Sequence, residues 1–129
     1  MIRPRTFYHW GVVLIVDDYP AICRAIERLA RVLGADAKCV TNAADAMEIM
    51  RRKPPSLVVL NDAMPDVSGV DLLRSIRADV ALRGVPVVMY SGGDDPERRA
   101  KAAELGALGW VLKNGHFNEL KKYIARYSA

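Results

Sequence analysis

Apolar and polar positions along this chain repeat a single theme five times: a short apolar run, a polar break, then a longer stretch with helical spacing. Val12 to Val16 reads VVLIV, a wholly apolar and largely β-branched run. Such a run is the mark of a strand buried on both faces. Asp17–Asp18–Tyr19 follows, and Pro20 suits the first turn of a helix. Ile22, Ile26, Leu29 and Leu33 form its apolar stripe, with Gly34 as the stop. Ala35 to Val40 is a weaker strand. Asn42, with Asp45 three residues on, can cap a helix over Ala43 to Arg52 that turns Ala46, Met47 and Met50 inward. Pro54–Pro55 ends it.

The third unit opens with a strand from Ser56 to Leu60. Ser68 and Asp71 form a capping pair for a helix carrying Val70, Leu73 and Ile76, with Val80 as a candidate continuation of the stripe. Gly84 breaks it. Val85 to Tyr90 is the fourth strand, and Asp95–Pro96–Glu97 starts a helix that runs to about Leu105. Leu108 to Leu112 is the fifth strand. A last helix covers Phe117 to Tyr127, with Leu120, Ile124 and Tyr127 on one side. Apolar strands alternating with amphipathic helices predict an α/β fold, (βα)5, with a parallel sheet and helices on both faces. Met1 to Trp10 has no period and contains Pro4, so residues 1–10 are expected to be a loose arm and residues 11–129 one domain.

In an open parallel sheet every strand's C-terminal end opens on one edge, where ligands bind. Asp17 and Asp18 follow strand one, Asn61 and Asp62 strand three, Ser91 strand four, and Lys113 strand five. Adjacent carboxylates with further oxygen ligands suit Mg²⁺, and a hydroxyl and an ammonium beside that ion suit phosphate oxygens. Each group alone reads as a helix cap, a turn residue or a solvated charge. Four of five strand ends supplying compatible chemistry is a far more specific pattern.

These segments together resemble the receiver domains of two-component response regulators. VLIVDDYP looks like the family's first strand with its acidic pair, and LVVLNDAMPDVSG like its phosphoacceptor segment. PVVMYSGG carries Ser91 at the Ser/Thr position, and ALGWVLK carries Lys113 with Trp110 at the switching aromatic. The resemblance spans Gly11 to Tyr127. It implies a flavodoxin-like sheet with strand order 2-1-3-4-5. It also implies a bacterial phosphorelay in which a histidine kinase or phosphotransfer protein supplies phosphate to an aspartate. In that scheme Mg²⁺ is held by Asp17, Asp18, residue 61 and the Ala63 carbonyl. Ser91 and Lys113 bind the phosphoryl oxygens. Ser91 and Trp110 then move, and a downstream protein target is exchanged.

Three departures bear on function. The phosphoacceptor position is Asn61, and a carboxamide lacks the carboxylate nucleophile. Mg²⁺ binding is expected to be weakened. Asp62 is adjacent, but neighbouring side chains in a strand point to opposite faces, so it should face away from the pocket. Lys113 is followed by Asn114 where the family has a cis proline. A cis bond before a non-proline residue costs roughly 2.5–4 kcal/mol, so a trans bond is expected. Trp110 is bulkier than the usual Tyr or Phe and is expected to be a packed aromatic. His116 reads as a surface residue.

Composition adds limits. A chain of 129 residues with 51% hydrophobic and 26% charged residues is ordinary for one globular domain. No apolar run approaches the ~18 residues of a membrane span, and the N-terminus is no signal peptide. Cys23 and Cys39 lack metal or redox spacing and are expected to be buried thiols in a reducing, cytoplasmic setting. The net charge of +4 is spread over several helices, which reads as solvated faces or an acidic protein partner. No helix-turn-helix or other reader is present, so specific nucleic-acid binding is not expected. Ala102, Leu105 and Tyr123 permit a homodimer without requiring one.

The leading expectation is a stand-alone pseudo-receiver, not an enzyme, acting by protein contacts. Its alternative is a phosphorylatable receiver in which Asp has been changed to Asn. A flavodoxin-like small-molecule binder would need a phosphate loop after strand one, where Asp17–Asp18 stands instead.

Overall fold

A computed structural model of the chain describes residues 12–114 and 117–127. The expected arm over residues 1–10, and His116, lie outside the described residues. Five strands alternate with five helices: β1 Val12–Val16, α1 Pro20–Val32, β2 Asp36–Val40, α2 Ala43–Arg52, β3 Leu57–Leu60, α3 Gly69–Ala78, β4 Val87–Ser91, α4 Pro96–Glu104, β5 Trp110–Leu112 and α5 Asn118–Tyr127. The sheet is parallel in the order β2-β1-β3-β4-β5. This is the order that the resemblance to receiver domains implies.

The sheet's alternation divides the core in two. Leu14, Val16, Val58, Leu60, Val87 and Met89 pack with α2, α3 and Ala102 of α4. Val13, Ile15, Leu57, Val59, Val88 and Tyr90 pack on the other face with α1 and α5. Because both faces are covered, these strand residues are almost fully buried. That is why the sequence shows continuous apolar runs rather than alternation.

Local signals place most helix ends. The Asn42 and Ser68 side chains accept from the backbone N–H groups of Asp45 and Asp71, at 2.8 and 3.1 Å. Asp95 accepts from Glu97 and Arg98. Helices α1 and α4 end on Gly34 and Gly106, both at positive φ (90° and 79°), where a side chain would be strained.

Several expectations need correction. β4 begins at Val87, not Val85, and reaches Ser91, which is therefore a strand residue. β5 is only Trp110–Leu112. Val80 is 78% exposed because α3 stops at Ala78. Cys23 and Cys39 are not separate thiols. Their Cα atoms lie 5.8 Å apart and the sulfurs are joined, tying α1 to β2. The spacing in sequence hid this because parallel pairing sets Cys39 beside Ile15, under the first turns of α1.

Arg77 holds the far side of the fold together. Its guanidinium donates to the carbonyls of Leu105 (2.7 Å), Val85 (2.7 Å), Arg83 (3.1 Å) and Gly106 (3.2 Å). One side chain on α3 thereby satisfies the end of α4 and the turn entering β4. Burial pushes its pKa down from the ordinary arginine value. Arg77→Met should cost about 1–3 kcal/mol, the loss of charge-assisted bonds to four carbonyls, two of them part-buried. Arg77→Lys should recover little of it, because an ammonium cannot reproduce the planar fork. Urea unfolding midpoints of the three proteins check this.

Candidate functional site

Backbone bonds carry the ladder to the pocket edge. Asp17 N–H donates to Val40, Asn61 N–H to Val16, and Lys113 N–H to Ser91. Each chemically active residue is thus fixed at a strand's C-terminal end. Asp17, Asn61 and Ser91 are 2%, 4% and 6% exposed.

Asp17, Asp18, Asn61 and Lys113 form one network. Lys113 Nζ lies 2.8 Å from Asp17 Oδ2 and 3.0 Å from Asn61 Oδ1. Asn61 Nδ2 donates to the Ala63 carbonyl at 2.7 Å and to Asp18 Oδ1 at 3.3 Å. Asp17 Oδ1 accepts from the Tyr19 backbone N–H at 2.9 Å. The amide orientation follows from its partners. Reversed, it would set its oxygen against two acceptors and its NH₂ against an ammonium. Lys113 Nζ also lies 5.5 Å from the Tyr90 ring centroid. Burial, and the charge of Asp17, push the Tyr90 phenol pKa up.

Ser91 does not join this network. Its hydroxyl oxygen accepts from Gly93 N–H at 3.2 Å. Trp110 is buried, and its indole N–H donates to the Gly93 carbonyl at 3.0 Å. Ser91 and Trp110 therefore hold the same glycine. The Lys113–Asn114 peptide is trans, in line with expectation.

Asp62 turns away from the pocket. Its Oδ1 accepts from Val70 N–H at 3.1 Å and from Arg98 Nη2 at 2.7 Å, and its Oδ2 pairs with Arg98 Nε. The carboxylate raises the Arg98 pKa through this pairing. Sequence reasoning took Arg98 for a solvated helix face. Only the outward Asp62, which needs a cation once buried, pointed to it.

These site features sit in a fold and sequence with known relatives. The family model for the response regulator receiver domain matches residues 13–125. The chain belongs to the response regulator receiver family. It is 34% identical over 105 residues to the chemotaxis protein CheY-3 of Vibrio cholerae, covering 78% of each chain. It is 33% identical over 120 residues to the chemotaxis protein CheY of Pseudomonas aeruginosa, covering 88% of this chain and 93% of that one. A response regulator receiver protein from Pseudomonas putida superposes with a TM-score of 0.85 at 26% identity, covering 91% of this chain and 97% of the other. This receiver is thus a CheY-like module of two-component signalling. Receivers exchange contacts with histidine kinases and downstream effectors, and bind Mg²⁺ at their acidic site. No helix among the described residues is long and apolar enough to cross a membrane.

The residues of this receiver do not fit that ion as they stand. Mg²⁺ demands near-octahedral oxygen coordination at short range. Here Asp17 Oδ2 faces Lys113, and both Asp18 Oδ1 and the Ala63 carbonyl face the Asn61 amide nitrogen.

Gly69 lets α3 start directly against this pocket. A Cβ there would stand 2.2 Å from the Asn61 carbonyl oxygen and 2.8 Å from Asp62 Cα. Gly69→Ala must therefore push back the backbone that carries both residues. It should cost about 1–3 kcal/mol, as for an overpacked core. Gly84→Ala, where nothing lies within 4 Å of the added carbon, should change stability by less than about 0.5 kcal/mol. Equilibrium unfolding of the two variants checks the contrast.

Proposed function

We propose that this receiver signals through protein contacts without accepting a phosphoryl group at residue 61. The observation that carries the reading is the Asn61 carboxamide at the phosphoacceptor position, engaged at both ends by Lys113, Asp18 and Ala63. Phosphoryl transfer to a receiver needs a carboxylate oxygen to attack phosphorus and form an acyl phosphate. An amide offers no such nucleophile. Asp62 is no substitute, because Arg98 and Val70 hold its carboxylate outside the pocket.

The chain's own residues take these roles. Asp17 and Lys113 form the buried ion pair that seats Asn61. Ser91 and Trp110 hold the segment after β4 through Gly93. Arg98 ties the start of α4 to Asp62. A histidine kinase or phosphotransfer protein is the upstream contact, and a second protein is the downstream one. The module is not an enzyme.

The test is incubation with a small acyl phosphate donor and Mg²⁺, read by intact-mass spectrometry. The native chain should gain no phosphoryl mass. Asn61→Asp, which keeps Asp17, Asp18 and Lys113, should gain one. Phosphate on the native chain, mapped to Asp62 or elsewhere in the pocket, would contradict the reading.

A further inference from the structure

We infer that the Asn61 carboxamide is a built-in replacement for the metal ion, so that this pocket assembles without a divalent cation. The inference rests on the contact-only reading for the absence of phosphoryl chemistry at residue 61, and it deepens that reading. Three observations carry it. The amide nitrogen lies between Asp18 Oδ1 (3.3 Å) and the Ala63 carbonyl (2.7 Å), two of the oxygens a cation would draw together. Its oxygen takes one bond from Lys113, whose other bond goes to Asp17 Oδ2. Asp17's remaining oxygen is filled by the Tyr19 N–H. Asp18 Oδ1, the Ala63 carbonyl, Asn61 Oδ1 and both Asp17 oxygens each already meet an N–H donor.

The charges agree with the geometry. With an aspartate at 61, three carboxylates would face the single Lys113 ammonium, leaving two negative charges that a divalent ion would cancel. Asparagine removes one of them and supplies two N–H donors in the same place. One negative charge remains, on the exposed Asp18, which water screens. A cation entering between Asp18 and Ala63 would have to break the 2.7 Å hydrogen bond from Asn61 Nδ2 to the Ala63 carbonyl and shed its own waters. It would gain one carboxylate fewer than the family's site offers.

The same substitution that removes the nucleophile therefore fixes the acidic loop, the segment after β3 and the end of β5 in one arrangement. The receiver's pocket does not wait for Mg²⁺ to order it, and its state is insensitive to the ion.

The experiment is MgCl₂ titration of the full chain at constant ionic strength, by isothermal calorimetry and by thermal melting, against a chelator-treated control. The native protein should release no binding heat, and its melting temperature should not move. Asn61→Asp should melt lower than native in chelator, because three carboxylates repel, and should recover as Mg²⁺ is added, since a ligand of the folded state stabilises it. Asn61→Ala should also melt lower in chelator, leaving Asp18 and Ala63 without their donor. Saturable Mg²⁺ binding to the native chain with a rise in melting temperature would overturn the inference. If that chain still takes no phosphate, the contact-only reading stands. Should Asn61→Asp fail to fold, the native titration decides alone.

Discussion

The buried pair of Asp17 and Lys113 is the interaction on which the rest of this structure depends. Asp17 is 2% exposed, and a carboxylate that deep in the protein must be paired. Lys113 comes from the far end of the chain, after the last strand, and reaches it at 2.8 Å. Removing Lys113 should cost about 3–5 kcal/mol, because Asp17 is then left charged and dry. The pair therefore fixes the first and fifth strands' ends relative to each other. The sheet between them brings Asn61 to the same point, where its carboxamide completes the network.

The carboxamide matters because it is bifunctional. Its oxygen accepts from Lys113 while its nitrogen donates to Asp18 and Ala63, so one planar group joins the positive and negative sides of the pocket. A carboxylate could do only the first. Around this centre two further ties act: Trp110 donates to the Gly93 carbonyl after β4, and Arg98 at the start of α4 pairs with Asp62 after β3. The start of α4 and the first residue of β5 are thus held by bonds that need neither phosphate nor metal.

Much of this was legible in the sequence, and the physical reason is repetition. Five apolar runs bounded by caps such as Asn42 and Ser68 leave little freedom in topology, and the strand ends then converge by geometry. Asn61 could be placed because Leu57 to Leu60 ends just before it. Less legible were the pairings that depend on where side chains on different helices meet. Arg77 and Arg98 carry no local signal that separates them from the solvated arginines beside them. Cys23 and Cys39 lie 16 residues apart, and they meet only once α1 packs over the β1–β2 pair. Val80 continued an apolar stripe on paper, but α3 had already ended.

The central claim is that the Asn61 amide nitrogen occupies the position of a cation. Side-chain amide NMR of the native chain tests it most directly. The two Asn61 NH₂ protons should be widely separated in shift, slow to exchange with solvent, and unmoved by added Mg²⁺. Rapidly exchanging, near-degenerate Asn61 protons, or signals that shift and saturate with Mg²⁺, would contradict the account.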